Sequence, residues 1–298
     1  MIRILGTVFA GLLGLAFGSF LNVCLSRWPK GESVISPRSH CRDCGHILAW
    51  WENVPLVGWL ALRGRCRACN ALIGWRYPLV EFAVAALWAT TAWRLYFRLV
   101  DPELPSVFID AALLHAAGEM VFYWLLVGLA ILDVEGLWLP DRLTYPGIIL
   151  GFLNSLAGAA FSTLSPMNDT METMGHAVGR SAVSSLLSIV AAACIVLLIR
   201  WVYWLVRRRE GMGLGDAKLM ALLAAWLGLP GALLAFGVGV VLGAVVALVL
   251  LAMPSASDRP VSWAATKLPL GTFLCIGGIV SGLWGETIIA AYLRWSGF

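Results

Sequence analysis

Long apolar runs alternate with short polar stretches along the whole chain. Runs of about 18 apolar residues or more are long enough to cross a bilayer as helices. They predict spans at roughly 4–25, 79–99, 113–132, 143–163, 181–206, 216–229, 231–252 and 270–292. The sixth is short and forms a half-span or a tight pair with the seventh, the turn between them supplied by Gly228, Pro230 and Gly231. The pattern therefore predicts an all-α polytopic integral membrane protein of about eight transmembrane helices. One polar interval is long enough for a small domain, giving a first helix over 1–25, a loop domain over 26–78 and a seven-helix portion over 79–298.

Charge orients these spans. The 26–78 loop carries Arg27, Lys30, Arg38, Arg42, Arg63, Arg65, Arg67 and Arg76, and the loop before the sixth span carries Arg207, Arg208 and Arg209. Arg259 and Lys267 precede the eighth, while Asp101, Glu103, Asp110, Asp169 and Glu172 occupy the alternate loops. Basic loops stay cytoplasmic, so both termini are expected outside, with Arg94, Arg98 and Arg180 snorkelling at span ends. Composition agrees: 60% of residues are hydrophobic and 13% charged, against about a quarter charged in ordinary soluble domains. The first apolar run lacks a small-x-small cleavage site and is read as an uncleaved span. Many of the fifteen tryptophans lie near span ends, but Trp50, Trp51 and Trp59 fall inside the 26–78 loop, as its core or as a surface-lying piece.

A loop of that size needs a staple. "CRDCGH" and "CRACNA" supply one: Cys41, Cys44, Cys66 and Cys69 have the spacing of two knuckles around one tetrahedral zinc, and a reducing compartment disfavours disulfides. Four thiolates leave no open position, so the metal is expected to be structural. His40 and His46 flank the first pair as neighbours. Cys24, Cys194 and Cys275 read as small buried hydrophobes.

The remaining chemistry is acidic. "RRREGMGLGDAKLMALL" places Asp216 where a basic loop turns into an apolar run, and "LDVEGLWLPDRLTYP" holds Asp133, Glu135 and Asp141 around a turn on the same expected face. "GMGLGD" is no phosphate loop, because no GK[ST] ending follows and no strand precedes it. Asp216 reads as a helix N-cap at the least. Carboxylates at membrane depth also mark functional sites. Two facing carboxylates that share a proton can activate water and protonate a leaving group. Glycines beside one of them allow close approach of a substrate backbone or unusual dihedrals.

These segments, with "GSFLNVCLSR", "ENVPLVGWLALRGRCRAC", "RYPLVE", "GMGLGDAKLMALLAAWLG" and "LPLGTFL", resemble the type IV prepilin peptidases, the GxGD-type aspartic proteases (family A24) of the bacterial inner membrane. The likeness runs along nearly the whole chain. It implies removal of a basic leader from prepilins or type II secretion pseudopilins after a glycine at the cytoplasmic face. It also implies methylation of the new N-terminal residue with S-adenosylmethionine as donor. It implies Asp133 and Asp216 as the catalytic pair, with Asp141, Gly211, Gly213, Gly215 and Lys218 in support. Lys218 either biases the shared proton or pairs with lipid phosphate, the second being preferred. The partners implied are pilin substrates, the lipid bilayer and the pilus or type II secretion assembly machinery, with no nucleic acid. Glu32, Asp43, Glu52 and Glu81 are candidate contacts for a basic leader. The interval between the two aspartates is longer than the family's pattern, the excess lying in 164–180. Competing readings are a GxGD protease for another signal-type peptide, a proton-coupled transporter, and a zinc-ribbon adaptor without catalysis.

Overall fold

The computed structural model describes residues 2–99, 107–163, 171–208, 213–252 and 268–297, and is helical almost throughout. Its long helices are α1 (Ile2–Arg27), α3 (Arg76–Leu99), α4 (Val107–Gly136), α5 (Asp141–Thr163), α6 (Met171–Arg207), α7 (Leu214–Ala252) and α8 (Leu270–Ser296), with a short α2 (Val57–Ala61) in the loop domain. Among the described residues, six helices are long and apolar enough to cross a membrane: α1, α4, α5, α6, α7 and α8. The protein is thus a multi-pass membrane protein. The expected count of eight is reached only by adding α3 and dividing α7. α3 misses the apolar criterion because Glu81, Arg94 and Arg98 interrupt it. Two compact units divide the chain, Met1–Gly128 and Leu129–Phe298, the boundary falling within α4.

In the first unit α1 lies along α3. Gly14 and Gly18 make this possible: a Cβ on either would come within 2.7 Å of the Cα of Ala85 or Glu81. Small residues let membrane helices approach until their backbones touch, where dispersion replaces the hydrophobic effect as the driving force. α3 answers with a stripe of buried residues at helical spacing, Val80, Glu81, Val84, Trp88 and Thr91. Side-chain donors complete the packing, with Asn22 Nδ2 donating to the Tyr77 carbonyl (2.9 Å) and Trp88 Nε1 to that of Met120 (2.9 Å). The outward face of α1, including Ile4, Phe9, Leu12 and Phe20, is exposed. An apolar exposed face is what a lipid-facing helix requires.

The second unit is organised by a reversal inside α7. Gly228 adopts φ 67°, ψ 176°, and Pro230 follows it. A positive φ suits glycine, and proline cannot donate to the preceding turn. The contacts on either side show the change of direction. Before Gly228, Lys218 meets Asp141 at the start of α5, and Trp226 Nε1 donates to Gly147, deeper in α5. After it, Gly231 packs by Ser281, Gly277 by Ala235, and Gly239 and Gly243 by Phe273, so the second leg runs antiparallel to α8. Ser281 Oγ donates to the Gly231 carbonyl at 2.8 Å. The turn expected at 228–231 is therefore present, and the leg before it spans only about 20 Å at about 1.5 Å per residue, short of a full crossing. Cys24 and Cys275 are buried as expected, whereas Cys194 lies on the exposed face of α6.

Candidate functional sites

The loop domain of the first unit is built from two copies of one local structure. In "CRDCGH" the Cys41 amide donates to the His46 carbonyl and the Gly45 amide to Cys41; in "CRACNA" the Cys66 amide donates to Ala71 and the Asn70 amide to Cys66. Gly45 (φ 73°) and Asn70 (φ 57°) occupy the same left-handed position, the region that glycine and asparagine tolerate best. The knuckles bring Cys41, Cys44, Cys66 and Cys69 together with all four sulfurs within 4.8 Å of one another. Cys41 Sγ lies 3.8 Å from Cys69 Sγ, and Cys44 Sγ 3.9 Å from Cys66 Sγ. A zinc–sulfur bond of about 2.3 Å in a regular tetrahedron gives edges of about 3.8 Å, so the cluster has the size of a four-thiolate zinc site and could hold the ion. The backbone amides of Cys69 and Ala68 lower the Cys66 thiol to about 6. Cys69, although it accepts the Ala71 amide, is pushed up to about 12 by the neighbouring thiols. Four such groups cannot all ionise without a cation among them.

The flanking histidines stand outside the cluster. His40 Nδ1 is 2.9 Å from the Arg38 carbonyl oxygen, and His46 Nε2 is 3.3 Å from Glu52 Oε2. Glu52 is buried, and the Ala49 amide donating to it at 2.7 Å holds its carboxyl below the ordinary range. Glu81 is equally buried and accepts the Leu56 amide at 2.8 Å. Both acids are thus engaged by their own backbone, which accounts for them without a peptide leader. Half-buried Trp59 packs its ring 4.5 Å from that of the exposed Trp75 and donates through Nε1 to the Ile73 carbonyl, while Trp50 is exposed.

In the second unit Asp133 and Asp216 are both buried, Asp133 lies near enough for its charge to bear on Asp216, and the charges of both bear on the buried Cys275. Each is fixed through Oδ2 by the start of a helix. Asp133 ends α4 but reaches α8, where the Thr272 amide donates to its Oδ2 at 2.7 Å and Thr272 Oγ1 lies 3.2 Å from the same oxygen. Oγ1 is also 3.0 Å from the Ala130 carbonyl, so its single proton is shared between two acceptors on α4. Gly271 admits this arrangement, since a Cβ there would stand 2.9 Å from the Asp133 carboxyl carbon. The chain leaves α4 through Leu137 in the left-handed region (φ 48°), its amide donating to the Asp133 carbonyl at 2.8 Å.

Asp216 is the third residue of α7 rather than its N-cap, and its Oδ2 accepts the Gly213 amide at 3.0 Å. This is the acidic half of a capping box, with glycine where the reciprocal hydroxyl would stand. Both carboxylates therefore sit at the positive ends of helices, where an anion is stabilised. Among the described glycines of "GMGLGD", neither Gly213 nor Gly215 has a positive φ, so unusual dihedrals are not their role. Gly215 lets α7 lie against the α4–α5 turn, a Cβ there coming 3.1 Å from Leu139 Cδ1. Gly211 lies outside the described residues. Lys218 pairs with Asp141 at 2.5 Å instead of being left to lipid phosphate. Sequence reasoning gives Thr272 and Gly271 no role. Their signal is the "PLGT" of "LPLGTFL", a helix start that offers two free amides after a proline.

Known proteins resemble this chain along nearly its whole length. The Bacterial Peptidase A24 N-terminal domain family matches residues 12–95, and the Type IV leader peptidase family matches residues 120–248. A prepilin leader peptidase/N-methyltransferase of Stutzerimonas stutzeri is 33% identical over 308 residues, covering 96% of this chain and 93% of that protein. The protein of the same name from Pseudomonas aeruginosa is 32% identical over 310 residues, covering 96% and 93%; that of Myxococcus xanthus is 38% identical over 220 residues, covering 74% and 56%. No solved structure matches the chain. On these two family matches, and on identity that runs nearly end to end, the chain belongs to the type IV leader peptidase family.

Proposed function

We propose that the protein is a membrane aspartic endopeptidase that removes the leader from prepilins or pseudopilins and then methylates the new N-terminus. The observation that carries the reading is the pair Asp133 and Asp216, two buried carboxylates from different helices, each anchored through one oxygen to helix-terminal amides. Two neighbouring buried carboxylates cannot both ionise cheaply, so in this reading they hold one proton between them. The ionised member takes a proton from water as that water attacks the scissile carbonyl. The protonated member donates to the carbonyl oxygen, and the proton returns to the leaving amine as the C–N bond breaks. Thr272 and the Gly213 amide orient the two carboxylates. Asp141 and Lys218, paired with each other, tie α5 to α7 beside the pair.

The relatives' designation as prepilin leader peptidase/N-methyltransferases extends the reading to N-methylation. S-adenosylmethionine supplies the methyl group. When bound, it would donate its sulfonium methyl to the freed N-terminal amine. Zinc in the four-cysteine cluster serves structure, since all four positions are thiolates. The membrane reading is eight segments, counting α3 and both legs of α7, in the bacterial inner membrane. The cluster and the aspartates face the cytoplasm and both termini the periplasm, as the placement of arginine and lysine supports. Pilus or type II secretion machinery is the expected destination of the product. The test is purified protein in detergent with a peptide carrying a basic leader, a glycine and a phenylalanine-led apolar segment, plus labelled S-adenosylmethionine. Cleavage after the glycine and label on the mature N-terminus are expected. A folded protein that leaves the peptide whole would refute the reading.

A further inference from the structure

The loop domain of the first unit leaves an apolar surface uncovered. On α2, Val57 and Leu60 are exposed three residues apart, while Gly58 between them is buried against the Glu52 backbone. Leu72 belongs to the same surface through an antiparallel bridge with Arg65, whose amide donates to the Leu62 carbonyl at the end of α2 (3.1 Å). Trp75 joins it through the ring contact with Trp59 of α2. The surface does not stop at the domain. The Leu79 amide donates to the Trp75 carbonyl at 3.1 Å, so Trp75 stands on the first turn of α3, and Trp75, Leu79 and Phe82 follow one another at helical spacing along one face. Val57, Leu60, Leu72, Trp75, Leu79 and Phe82 are each 59–77% exposed. An exposed apolar patch of this extent marks a contact with a membrane or another protein.

The α3 end of that surface fixes the occupant. Gly18 of α1 packs on Glu81 of α3, and Asn22 donates to the Tyr77 carbonyl, so Leu79 and Phe82 lie at the depth of Phe17 and Phe20, which are exposed on the membrane span α1. Trp75 is four residues further out, about 6 Å at about 1.5 Å per residue, toward the span end where tryptophan settles at the membrane interface. Charge agrees. Residues 53–80 hold four arginines and no acid. Arg63 and Arg65 are exposed and rim the patch, Arg63 directly after α2 with its amide donating to the Leu60 carbonyl, and Arg65 opposite Leu72. Arginine beside tryptophan and leucine suits a segment that lies in the headgroup layer of an anionic leaflet. We propose that α2 and Trp75 form a membrane-surface anchor that seats the loop domain on anionic lipid headgroups of the leaflet where α1 ends and α3 begins. This goes beyond the proposed function and stands whichever peptide the protein processes. A second copy of the chain is the rival occupant. A patch continuous with the lipid-exposed stripe of α3 and rimmed by arginine favours the bilayer.

The experiment places a photoreactive phenylalanine analogue at position 60 of the full zinc-loaded chain. The protein is reconstituted into nanodiscs of phosphatidylcholine, with or without phosphatidylglycerol, and the cross-linked species is identified by mass. Zinc content and melting temperature report folding. In discs containing phosphatidylglycerol the analogue should cross-link to phospholipid. A basic residue near an anionic surface contributes about fivefold to the partition, so Arg63→Ala and Arg65→Ala should each lower the ratio of lipid-linked to unlinked protein by about that factor. Arg65→Lys, which keeps the charge, should retain most of it. In pure phosphatidylcholine the ratio should be low from the start and the arginine variants should change it little. Cross-links to a second copy of the chain, cross-links to residues 129–298, or no cross-link in folded protein overturns the anchor. Equal lipid cross-linking in neutral and anionic discs overturns it as well, because the patch would then meet lipid without any seating on charged headgroups.

Discussion

A Cβ at residue 271 has nowhere to go, and that gives a sharp test of how Asp133 is held. In Gly271→Ala the methyl would lie 2.9 Å from both the carboxyl carbon and Oδ2 of Asp133, against 3.4 Å or more for ordinary contact. The carboxylate or the start of α8 must retreat by about 0.5 Å, and the 2.7 Å bond from the Thr272 amide lengthens with it. A displacement of about 1 Å at reacting groups costs roughly a hundredfold in rate, so the smaller shift should lower kcat by about ten- to a hundredfold. KM should change little, because the misplaced group acts on the transition state. The assay is peptide cleavage in detergent, with Gly237→Ala as control. A Cβ on that glycine would meet no atom within 4 Å, so its substitution should be silent. A Gly271→Ala enzyme with wild-type kcat and normal melting would refute the claim that Asp133 is positioned by the α8 N-terminus.

Other expectations follow from the same geometry. Thr272→Val removes a hydroxyl donor to a carboxylate and should cost about tenfold in kcat, while Thr272→Ser should keep most of the rate; equal loss in both would assign Thr272 to packing alone. Cys66→Ser should lose the bound zinc, one ion per chain in wild type by elemental analysis, and with it the near-ultraviolet signal of the Trp59–Trp75 pair. Gly18→Leu should lower the melting temperature by forcing α1 off α3, where a Cβ already meets the Glu81 backbone at 2.7 Å; an unchanged melt would show that this packing adapts. The half-exposed Lys218–Asp141 pair should show a coupling of about 0–1 kcal/mol in a double-mutant cycle of melting, and a much larger value would mean that it is a buried network in disguise.

What the sequence reveals and what it hides divide along physical lines. Long apolar runs, paired CxxC spacings and carboxylates at the edges of apolar runs are local patterns, and local patterns survive without coordinates. The turn at Gly228 is legible for the same reason, because glycine and proline punctuate the chain wherever they fall. Partners chosen by tertiary packing are not legible. Nothing local joins Thr272 to Asp133, 139 positions apart, or Lys218 to Asp141, 77 apart. Asp216 looks like an N-cap in the sequence because cap and third position differ by less than one turn of register, and only the Gly213 amide distinguishes them. α3 reads as an ordinary span from its apolar content, yet its charged residues put it outside the apolar set, and its α1-facing stripe gives it an amphipathic character. The acids Glu52 and Glu81 look available to a ligand, whereas each already binds a loop amide through one oxygen.

The central claim is that Asp133 and Asp216 form one catalytic unit, and side-by-side cleavage kinetics of Asp133→Asn, Asp216→Asn and Asp141→Asn test it most directly. Abolished cleavage in the first two, in protein that still melts normally and retains zinc, with substantial activity in Asp141→Asn, is the predicted result. Cleavage that survives Asp133→Asn but fails in Asp141→Asn would contradict the account, because the nucleophilic water would then be activated by a carboxylate that here is exposed and paired with Lys218.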